Sequence, residues 1–287
     1  MIPDFAIQNS NENNIPVFWQ PPPLSEVEVN SYLHFAQRIL FDVSSLLREG
    51  YYRRKEIGQK SGRELVTSAD IASEKLIRAQ IYSTYPNHNI LSEELGESQE
   101  IEVENLWVVD PLDGTNNFAH GFPFFAVSIA FVHRSHLVLG VIIDPLREEI
   151  FWTTCFEKHS YMNGEKITVS RIEKLSDAIV ATGFPYDISP DTENNIDHFI
   201  NFSYSSQGIR RAGSAALDLC YVAAGRLDGF WELKLRPWDM AAGALIVKNA
   251  GGIITDFDGN PWLLGSDRII AANPDIHPQM LGIIRRK

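Results

Sequence analysis

The spacing of apolar residues changes along this chain, and the change restricts the folds open to it. Apolar residues recur at helical spacing over Ser25–Arg48, and a second helical pattern covers Asp70–Tyr85. Short apolar runs of strand length follow at 89–92, 106–109, 126–132 and 138–143. Two further helices are predicted, over Ser214–Ala224 and from Asp239 to the glycine pair at 251–252. Helices that flank a strand-rich centre favour an α+β or layered α/β fold.

The first 24 residues differ in composition from the rest. A polar run at 9–14 is followed by Pro21-Pro22-Pro23, a pattern typical of a flexible arm, which we predict over residues 1–24. Its aromatic pair, Phe18 and Trp19, could pack onto the main body. Residues 25–287 are predicted to form one domain, since 287 residues that are 44% apolar can bury one sizeable core or two subdomains that share an interface.

The charge of the chain limits its partners. It has 25 basic and 37 acidic residues, a formal net charge of −12, which disfavours general nucleic-acid binding. The same charge would repel a phosphorylated ligand unless bound cations reversed it locally. No apolar run approaches the ~18 residues that cross a bilayer, and the start lacks a basic and apolar signal segment. We therefore expect a cytoplasmic protein without a membrane segment.

One apolar run leads directly into acidic residues. Leu106–Val109 precedes Asp110-Pro111-Leu112-Asp113-Gly114-Thr115, so the strand is expected to deliver Asp110 at its end, where α/β sites collect their ligands. Pro111 fixes φ, and a tight turn can point the carboxylates of Asp110 and Asp113 into one space. Gly114 permits a backbone conformation that other residues resist. An ordinary strand-to-loop turn has the same composition, because Asp, Pro and Gly are common turn residues.

Two other acids follow or open predicted elements. Glu93 comes after a short apolar run, where it could equally belong to a solvated loop. Asp239 stands near the start of a small-residue helix, as its N-cap or as a metal ligand. If both converge with Asp110 and Asp113, like charges at 4 Å repel by roughly 4 kcal/mol at an effective dielectric of 20. Such a group must take up protons or cations, and ligation by oxygen alone favours Mg²⁺, Mn²⁺ or Ca²⁺.

Two motifs resemble those of a known family. Asp110–Phe118, continued by His120–Pro123 and Ala126–Ile129, resembles the first motif of the inositol monophosphatase family. Trp238–Gly243, followed by Asn249–Gly252, is similar to the second. The resemblance covers about residues 30–280 and implies alternating α-β-α-β-α layers of the sugar-phosphatase type. In such a fold, residues 25–287 would be one catalytic domain of two closely packed α/β halves. The family also implies a homodimer and sensitivity to Li⁺.

The resemblance implies a site for two Mg²⁺ ions, with Mn²⁺ as a substitute. The implied metal ligands are Glu93, Asp110, Leu112 through its carbonyl, Asp113 and Asp239. Thr115, together with Glu93, would orient and deprotonate the attacking water. Asp70, in a segment Lys60–Asp70 that also resembles the family, would support Thr115 and could hold a weak third ion through water. The implied reaction is in-line attack of a metal-activated water on phosphorus, without a covalent phosphoenzyme.

Substrate contacts are implied as well, at Asp113, Gly114, Thr115, Gly213, Ser214, Ala215, Glu232 and Asp239. Gly213–Ala215 opens a helix, and amides at such a start suit an anion or a hydroxyl. Glu232 matches a glutamate that binds the inositol ring, although beside Trp231 it could be a surface acid. Lys60 could flank the phosphate. Arg210-Arg211 could belong to a subunit contact or be a solvated pair.

The substrate that the resemblance implies is myo-inositol 1-phosphate, a small phosphate ester, hydrolysed to inositol and phosphate. Histidinol phosphate, fructose 1,6-bisphosphate and 3′-phosphoadenosine 5′-phosphate remain as alternatives, although the sequence displays no evident basic cluster for a second phosphate. A different hypothesis is a non-catalytic scaffold that binds a partner through Arg210-Arg211 or the proline-rich arm. The intact acids argue against it, because a scaffold has no need of them.

Overall fold

A computed structural model describes residues 19, 21–52, 57–61, 64–93, 103–186 and 193–286. The helices of these residues are Glu26–Tyr51 (α1), Ser68–Thr84 (α2), Thr115–His120 (α3), Ile196–Ser205 (α4), Ala215–Ala223 (α5), Pro237–Asn249 (α6) and His277–Ile284 (α7). Their strands are Ile57–Ser61 (β1), Glu64–Thr67 (β2), Asn89–Ser92 (β3), Asn105–Asp113 (β4), Ala126–His133 (β5), His136–Asp144 (β6), Glu149–Thr154 (β7), Ser160–Met162 (β8), Glu165–Ile167 (β9), Ile179–Thr182 (β10), Gly208–Arg210 (β11), Gly229–Leu233 (β12), Ile253–Thr255 (β13) and Arg268–Ala272 (β14).

The strands form two main sheets and a small ribbon. In the larger sheet β3 to β9 lie in chain order, with β3 parallel to β4 and every later pair antiparallel. The smaller sheet has the order β11-β10-β12-β14-β13 and mixes parallel with antiparallel pairs. β1 and β2 pair separately. The antiparallel neighbours from β4 to β9 need only short connections, which agrees with the closely spaced strand runs of the sequence.

Helices and sheets alternate in layers. α1 and α2 share a core with Trp107 of β4 on one face of the larger sheet. α5 and α6 lie between the sheets, in a core with Phe151 of β7 and Phe230 of β12. The next residue, Trp231, points to the opposite face of the smaller sheet and packs against α4 and α7. The predicted α-β-α-β-α order is therefore confirmed.

Two contacts hold α6 close over the larger sheet. Gly140 of β6 leaves room for the helix, because a Cβ there would lie 2.6 Å from the carbonyl oxygen of Ala242. On the neighbouring strand the Ser128 hydroxyl donates to the carbonyl of Trp238 at 3.4 Å. Ser128 is the register partner of Asp110. The first turn of α6, with Asp239, is thus placed over the strand that carries Asp110.

Two predicted boundaries differ from the structure. β4 does not end at Asp110 but continues to Asp113, because the pairing with β5 resumes beyond the proline. α6 begins at Pro237 rather than after Asp239. Proline suits the first position of a helix, where its missing N–H costs no hydrogen bond.

The N-terminal arm contacts the main body through Trp19 and Leu24. Trp19 is half-buried beside Trp262, with ring centroids 6.2 Å apart, and the Lys248 ammonium lies 5.2 Å from the Trp19 centroid. Phe18 and the other residues of 1–18 lie outside the described part. None of the described helices combines the length and apolar character needed to span a membrane.

Candidate active site

A β-bulge in β4 shapes the acidic turn. Asp110 pairs with Ser128 of β5 and Asp113 pairs with Ala126, so three steps on β4 oppose two on β5. A bulge of this kind bends the strand and redirects its side chains, and a proline is tolerated there because no ladder hydrogen bond is lost. The carboxylates of Asp110 and Asp113 consequently face the same pocket.

Gly114 completes the turn in the left-handed region, with φ of 92°. A Cβ at this position would lie 3.1 Å from the carbonyl oxygens of both Gly213 and Phe124. Glycine is therefore needed for the backbone conformation and for the close approach of two other segments. Directly after it, Thr115 begins α3.

The acids and the implied substrate contacts meet in one cavity of about 480 Å³. It is lined by Glu93, Asp110, Leu112, Asp113, Gly114, Thr115, Gly213, Ser214, Ala215, Glu232 and Asp239, among others. These residues come from β3, β4, β12 and the starts of α3, α5 and α6. Asp70 is buried and contacts Thr115 from behind the pocket.

Thr115 and Asp70 form a hydrogen-bonded pair. The Thr115 hydroxyl lies 2.7 Å from Asp70 Oδ1 and 3.0 Å from the Leu112 carbonyl oxygen. One proton can serve one acceptor at a time, and the charged, nearer carboxylate is the stronger partner. Asp70 is itself held by Thr67, whose backbone N–H and hydroxyl both donate to Oδ2. The Thr115 oxygen keeps its lone pairs for a proton from the pocket.

Each acid of the turn is held by a donor of the protein. Asp110 Oδ1 accepts the Leu112 N–H at 3.0 Å. Asp113 Oδ2 accepts the Ser214 hydroxyl at 2.5 Å and the Ala216 N–H at 2.8 Å, at the start of α5. The Ala216 amide, which could have faced a substrate anion, is therefore used by Asp113.

Asp239 is not the N-cap of α6, which is Arg236, but it takes part in capping this helix. Asp239 Oδ2 accepts the Arg236 N–H at 2.7 Å and so completes a capping box at the third position of α6. Its carboxylate also lines the cavity. A helix-capping contact through one oxygen leaves the other oxygen available to a ligand.

The acids raise one another's pKa. Burial and the neighbouring Glu93, Asp113 and Asp239 hold the pKa of Asp110 well above its ordinary value. Burial also raises the pKa of Asp113 to about 6, against the opposing effect of its hydrogen bonds from α5. The pKa of Asp239 is raised by burial and by Asp113. The pocket thus concentrates negative charge that protons or cations must balance.

The donor set fits Mg²⁺ in its chemistry. Carboxylates and a backbone carbonyl are hard oxygen ligands, and Mg²⁺ prefers them while keeping several waters of its own. Within the part of the chain that the structure describes, no three His, Cys, Asp or Glu side chains form a complete metal-binding cluster. Asp110, Asp113 and Asp239 accept hydrogen bonds from protein donors, and their side chains line one cavity.

Glu232 forms part of the opposite wall and is not a surface acid. Burial, followed by Asp239 and Asp113, raises the pKa of Glu232 to about 8, while Arg211 opposes the shift. Gly183, after β10, provides the space for its carboxylate, since a Cβ on Gly183 would overlap both carboxylate oxygens of Glu232. The alternative of a solvated acid beside Trp231 is therefore wrong.

Comparison with known proteins agrees with the motifs. The model of the inositol monophosphatase family matches residues 28–287. The chain belongs to this family. It is 43% identical to the Nus factor SuhB of Pseudomonas aeruginosa over 235 residues, 80% of this chain and 86% of that protein. An inositol-1-monophosphatase of Synechocystis is 38% identical over 263 residues, 91% of each chain. The solved inositol monophosphatase of Anabaena aligns with a TM-score of 0.81 at 36% identity, covering 90% of this chain and 96% of that one.

Several site residues of this family member were not singled out from the sequence. Asn117 Nδ2, which has two hydrogens to donate, lies within hydrogen-bond distance of the carbonyl oxygens of Phe124, Ala212 and Gly213 and so connects the acidic turn to the start of α5. Asp218 is buried in the first turn of α5, and burial, followed by the nearby Glu232, raises its pKa. The motif around Asn117 was visible in the sequence, but two of its partners, Ala212 and Gly213, are almost 100 residues away.

The basic residues have separate positions. Arg211 lines the cavity and interacts electrostatically with Glu232, whereas the exposed Arg210 contacts the carbonyl of Ile209. The pair is therefore divided between the pocket and the surface. The Lys60 side chain and the basic run at 53–55 lie outside the described residues.

Proposed function

We propose that the protein is a Mg²⁺-dependent phosphatase that hydrolyses a small phosphate monoester, with myo-inositol 1-phosphate as its substrate. The observation that carries this proposal is the convergence of Glu93, Asp110, Asp113 and Asp239 on one cavity that Thr115 also lines, with Asp70 bonded to Thr115 from behind. Family membership and the likeness to a named inositol-1-monophosphatase support the reaction class.

For the metal site we propose two ions that share Asp110. Glu93 and the Leu112 carbonyl would complete the first set, and Asp113 with Asp239 the second. When bound, Mg²⁺ would lower the pKa of water and stabilise charge on the phosphoryl oxygens. The pKa values of Asp110 and Asp239 are raised because their carboxylates are buried close to other acids. Bound Mg²⁺ would balance this negative charge, which supports ligation. Mn²⁺ has the same ligand preference and could substitute.

The proton of the attacking water would pass towards Thr115. The Thr115 hydroxyl donates to Asp70 and so can accept a hydrogen bond from water in the pocket. Glu93, at the end of β3, would orient that water from the other side. Both groups are fixed by the ends of buried elements, which supplies the orientation that general base catalysis requires.

The alcohol part of the substrate would lie against the opposite wall. Glu232, with a pKa raised to about 8, would hydrogen-bond a hydroxyl of the substrate, as donor when protonated and as acceptor when ionised. Gly213, Ser214 and Ala215 would form the floor at the start of α5. A single carboxyl can bind hydroxyls of the substrate but cannot distinguish the ring that carries them. The geometry therefore supports a polyol phosphate, and the other small phosphate esters remain candidates.

The test of the proposed function is phosphate release from a panel of esters with and without Mg²⁺. The expected result is the highest kcat/KM for myo-inositol 1-phosphate and inhibition by millimolar Li⁺. Absence of Mg²⁺-dependent release from every ester would overturn the proposal. We also propose a homodimer, which light scattering would report as twice the 32.4 kDa chain mass.

A binding role is the second candidate, because relatives at 40–43% identity are named Nus factor. Such a role would need a partner surface and no acidic pocket. A pull-down with the Asp110→Asn variant separates the two functions. A partner retained by this inactive variant would show binding that is independent of hydrolysis, whereas loss of both would tie the partner to the occupied site.

A further inference from the structure

Asn195 stands at the start of α4, but its side chain does not cap the helix. Asparagine is a preferred N-cap because its side chain can accept the free N–H groups of the first turn. Asn195 makes no such bond, and its side chain is fully buried. The Ile196 N–H donates instead to the side chain of Asn194. The Asn195 amide is therefore directed into the protein, where other contacts must account for it.

The Asn195 amide joins the ends of two neighbouring strands. Its Nδ2 lies 2.6 Å from the Thr182 hydroxyl oxygen, at the end of β10, and 2.6 Å from the Gly183 carbonyl oxygen. Its Oδ1 accepts the indole N–H of Trp231, in β12, at 2.8 Å. An amide carries two N–H donors and one carbonyl acceptor, and an indole can only donate. These three partners therefore use both ends of the amide in a single orientation.

The backbone carbonyl of Gly183 depends on this amide. The Thr182 hydroxyl has one proton and lies 2.6 Å from the Trp231 carbonyl oxygen but 3.4 Å from the Gly183 carbonyl oxygen. The nearer Trp231 carbonyl is the acceptor, which leaves the Gly183 carbonyl to Asn195. Gly183 is buried, and a buried carbonyl without a donor is costly. Asn195 consequently fixes the backbone at Gly183.

Gly183 in turn borders Glu232 in the cavity. The register of β10 and β12 ends at the pair Thr182 and Trp231, and Gly183 and Glu232 come next along each chain. A Cβ on Gly183 would overlap the Glu232 carboxylate, so the two residues are in close contact. A shift of the backbone at Gly183 would therefore reach Glu232. The same wall of the cavity also contains Arg211, Lys234 and Arg236.

We infer that Asn195 is a positioning residue, which holds the Gly183 backbone against Glu232 and so sets the affinity of the site for hydroxyls of the substrate. The inference rests on the proposed phosphatase function, in which Glu232 binds a hydroxyl of the alcohol part. Asn195 is buried and does not line the cavity, so it would act on the substrate through Gly183. The acids at the end of β4 lie on another sheet and should keep their geometry without the amide.

The experiment measures kcat and KM for two esters in the presence of Mg²⁺. Hydroxyls that Glu232 could bind are present in myo-inositol 1-phosphate and absent from 4-nitrophenyl phosphate. One variant is Asn195→Ala, which removes the amide. The other is Asn195→Leu, which fills most of the same volume in case the cavity left by alanine prevents folding. Thermal melting shows which variants are folded at the assay temperature.

The expected change is selective for the ester with hydroxyls. KM for myo-inositol 1-phosphate should rise at least about tenfold with little change in kcat, since a hydrogen bond shared by ground and transition states is lost. KM for 4-nitrophenyl phosphate should change less than about twofold, as for a site that does not interact with the ligand. Glu232→Ala should raise the first KM as well. Adding Asn195→Ala to it should have little further effect, because both substitutions remove the same contact.

The matched control is Asn273→Ala. Asn273 is also buried, and its amide donates to the Ser170 hydroxyl and the Ile172 carbonyl, away from the residues that line the cavity. This variant loses a comparable set of hydrogen bonds and should leave both KM values unchanged.

Several outcomes would overturn the positioning role. An equal rise in KM for both esters, or a fall in kcat as large as the rise in KM, would show a general structural role of Asn195. Additive effects of Asn195→Ala and Glu232→Ala, the same selective rise in Asn273→Ala, or unfolding of both Asn195 variants would lead to the same conclusion. Wild-type protein that releases no phosphate from either ester would overturn the proposed phosphatase function, and the role of Asn195 with it.

Discussion

The two walls of the cavity are built in different ways. The acidic wall comes largely from one contiguous segment, in which a bulge and a left-handed glycine place Asp110, Asp113 and Thr115 within six residues. The opposite wall is assembled from separate segments, with Gly183 after β10, Arg211 after β11 and Glu232 in β12.

The difference in construction suggests different roles, with catalysis at the acidic wall and selection of the substrate at the opposite wall. The side chains of the acidic wall face one another. The Leu112 N–H holds Asp110 locally, whereas Asp70 and Ser214 hold Thr115 and Asp113 from other segments. On the opposite wall a carboxyl and three cations depend on how the smaller sheet packs against the larger one. We infer that changes in the acidic wall reduce turnover, whereas changes in the opposite wall alter which ester is bound.

The largest effect is expected for Asp110→Asn in the acidic wall. Asp110 is shared between the proposed ions, so the variant should lose about a thousandfold or more in kcat/KM, equivalent to about 4 kcal/mol in the barrier. Phosphate release measured at saturating Mg²⁺ checks this. The fold should persist, because the substitution removes a carboxylate whose pKa is raised by burial and by its acidic neighbours. The exposed Asp258→Asn is the control, and near-normal turnover in Asp110→Asn would remove Asp110 from the metal site.

Thr115→Val tests the proton path of the same wall. Valine keeps the shape of this buried side chain and removes the hydroxyl that donates to Asp70. Loss of general base assistance should lower kcat about a hundredfold with little change in KM. Thr115→Ser retains the hydroxyl and should recover most of the activity. A serine variant as slow as the valine variant would show that Thr115 acts by packing.

Magnesium should stabilise the protein more at pH 8 than at pH 5. The folded pKa of Asp113, about 6, and those of Asp110 and Asp239 lie above their unfolded values. Without metal, the stability from the protonated acids is present below about pH 4 and is lost as pH rises through the folded values. Bound Mg²⁺ should offset this loss, by about 2.7 kcal/mol at a hundredfold excess over Kd.

The measurement is the Tm with EDTA and with Mg²⁺ at the two pH values. Asp110→Asn should reduce the gain that Mg²⁺ produces at pH 8. An equal gain at both pH values would show that the cation binds elsewhere, away from the acids whose pKa values are raised. Such a result would contradict the acidic wall as the metal site.

Sequence reasoning reached the acidic wall because its signals are local. The periodicity predicted the layers, and Gly114 predicted an unusual backbone conformation, which φ of 92° confirms. The bulge in β4 could not be predicted, because it depends on the register with β5. The position of Lys234 and Arg211 in one wall could not be predicted either. These residues follow β12 and β11, which come together only because both pair with β10 in the smaller sheet. The contacts of Asn117 with Ala212 and Gly213 could not be predicted either, because these residues are distant in the sequence.

The Gly183→Ala variant has the smallest expected effect on activity, and it best distinguishes the roles of the two walls. A Cβ there would overlap the Glu232 carboxylate, so Gly183→Ala should displace Glu232 without touching the acidic turn. KM for a polyol phosphate should rise about tenfold with little change in kcat, as expected when binding shared by ground and transition states is lost. Gly282→Ala is the matched control, because a Cβ there meets nothing within 4 Å. If Gly183→Ala lowered kcat as strongly as it raised KM, the opposite wall would position the reacting phosphate as well as the alcohol, and the separation between the two walls would fail.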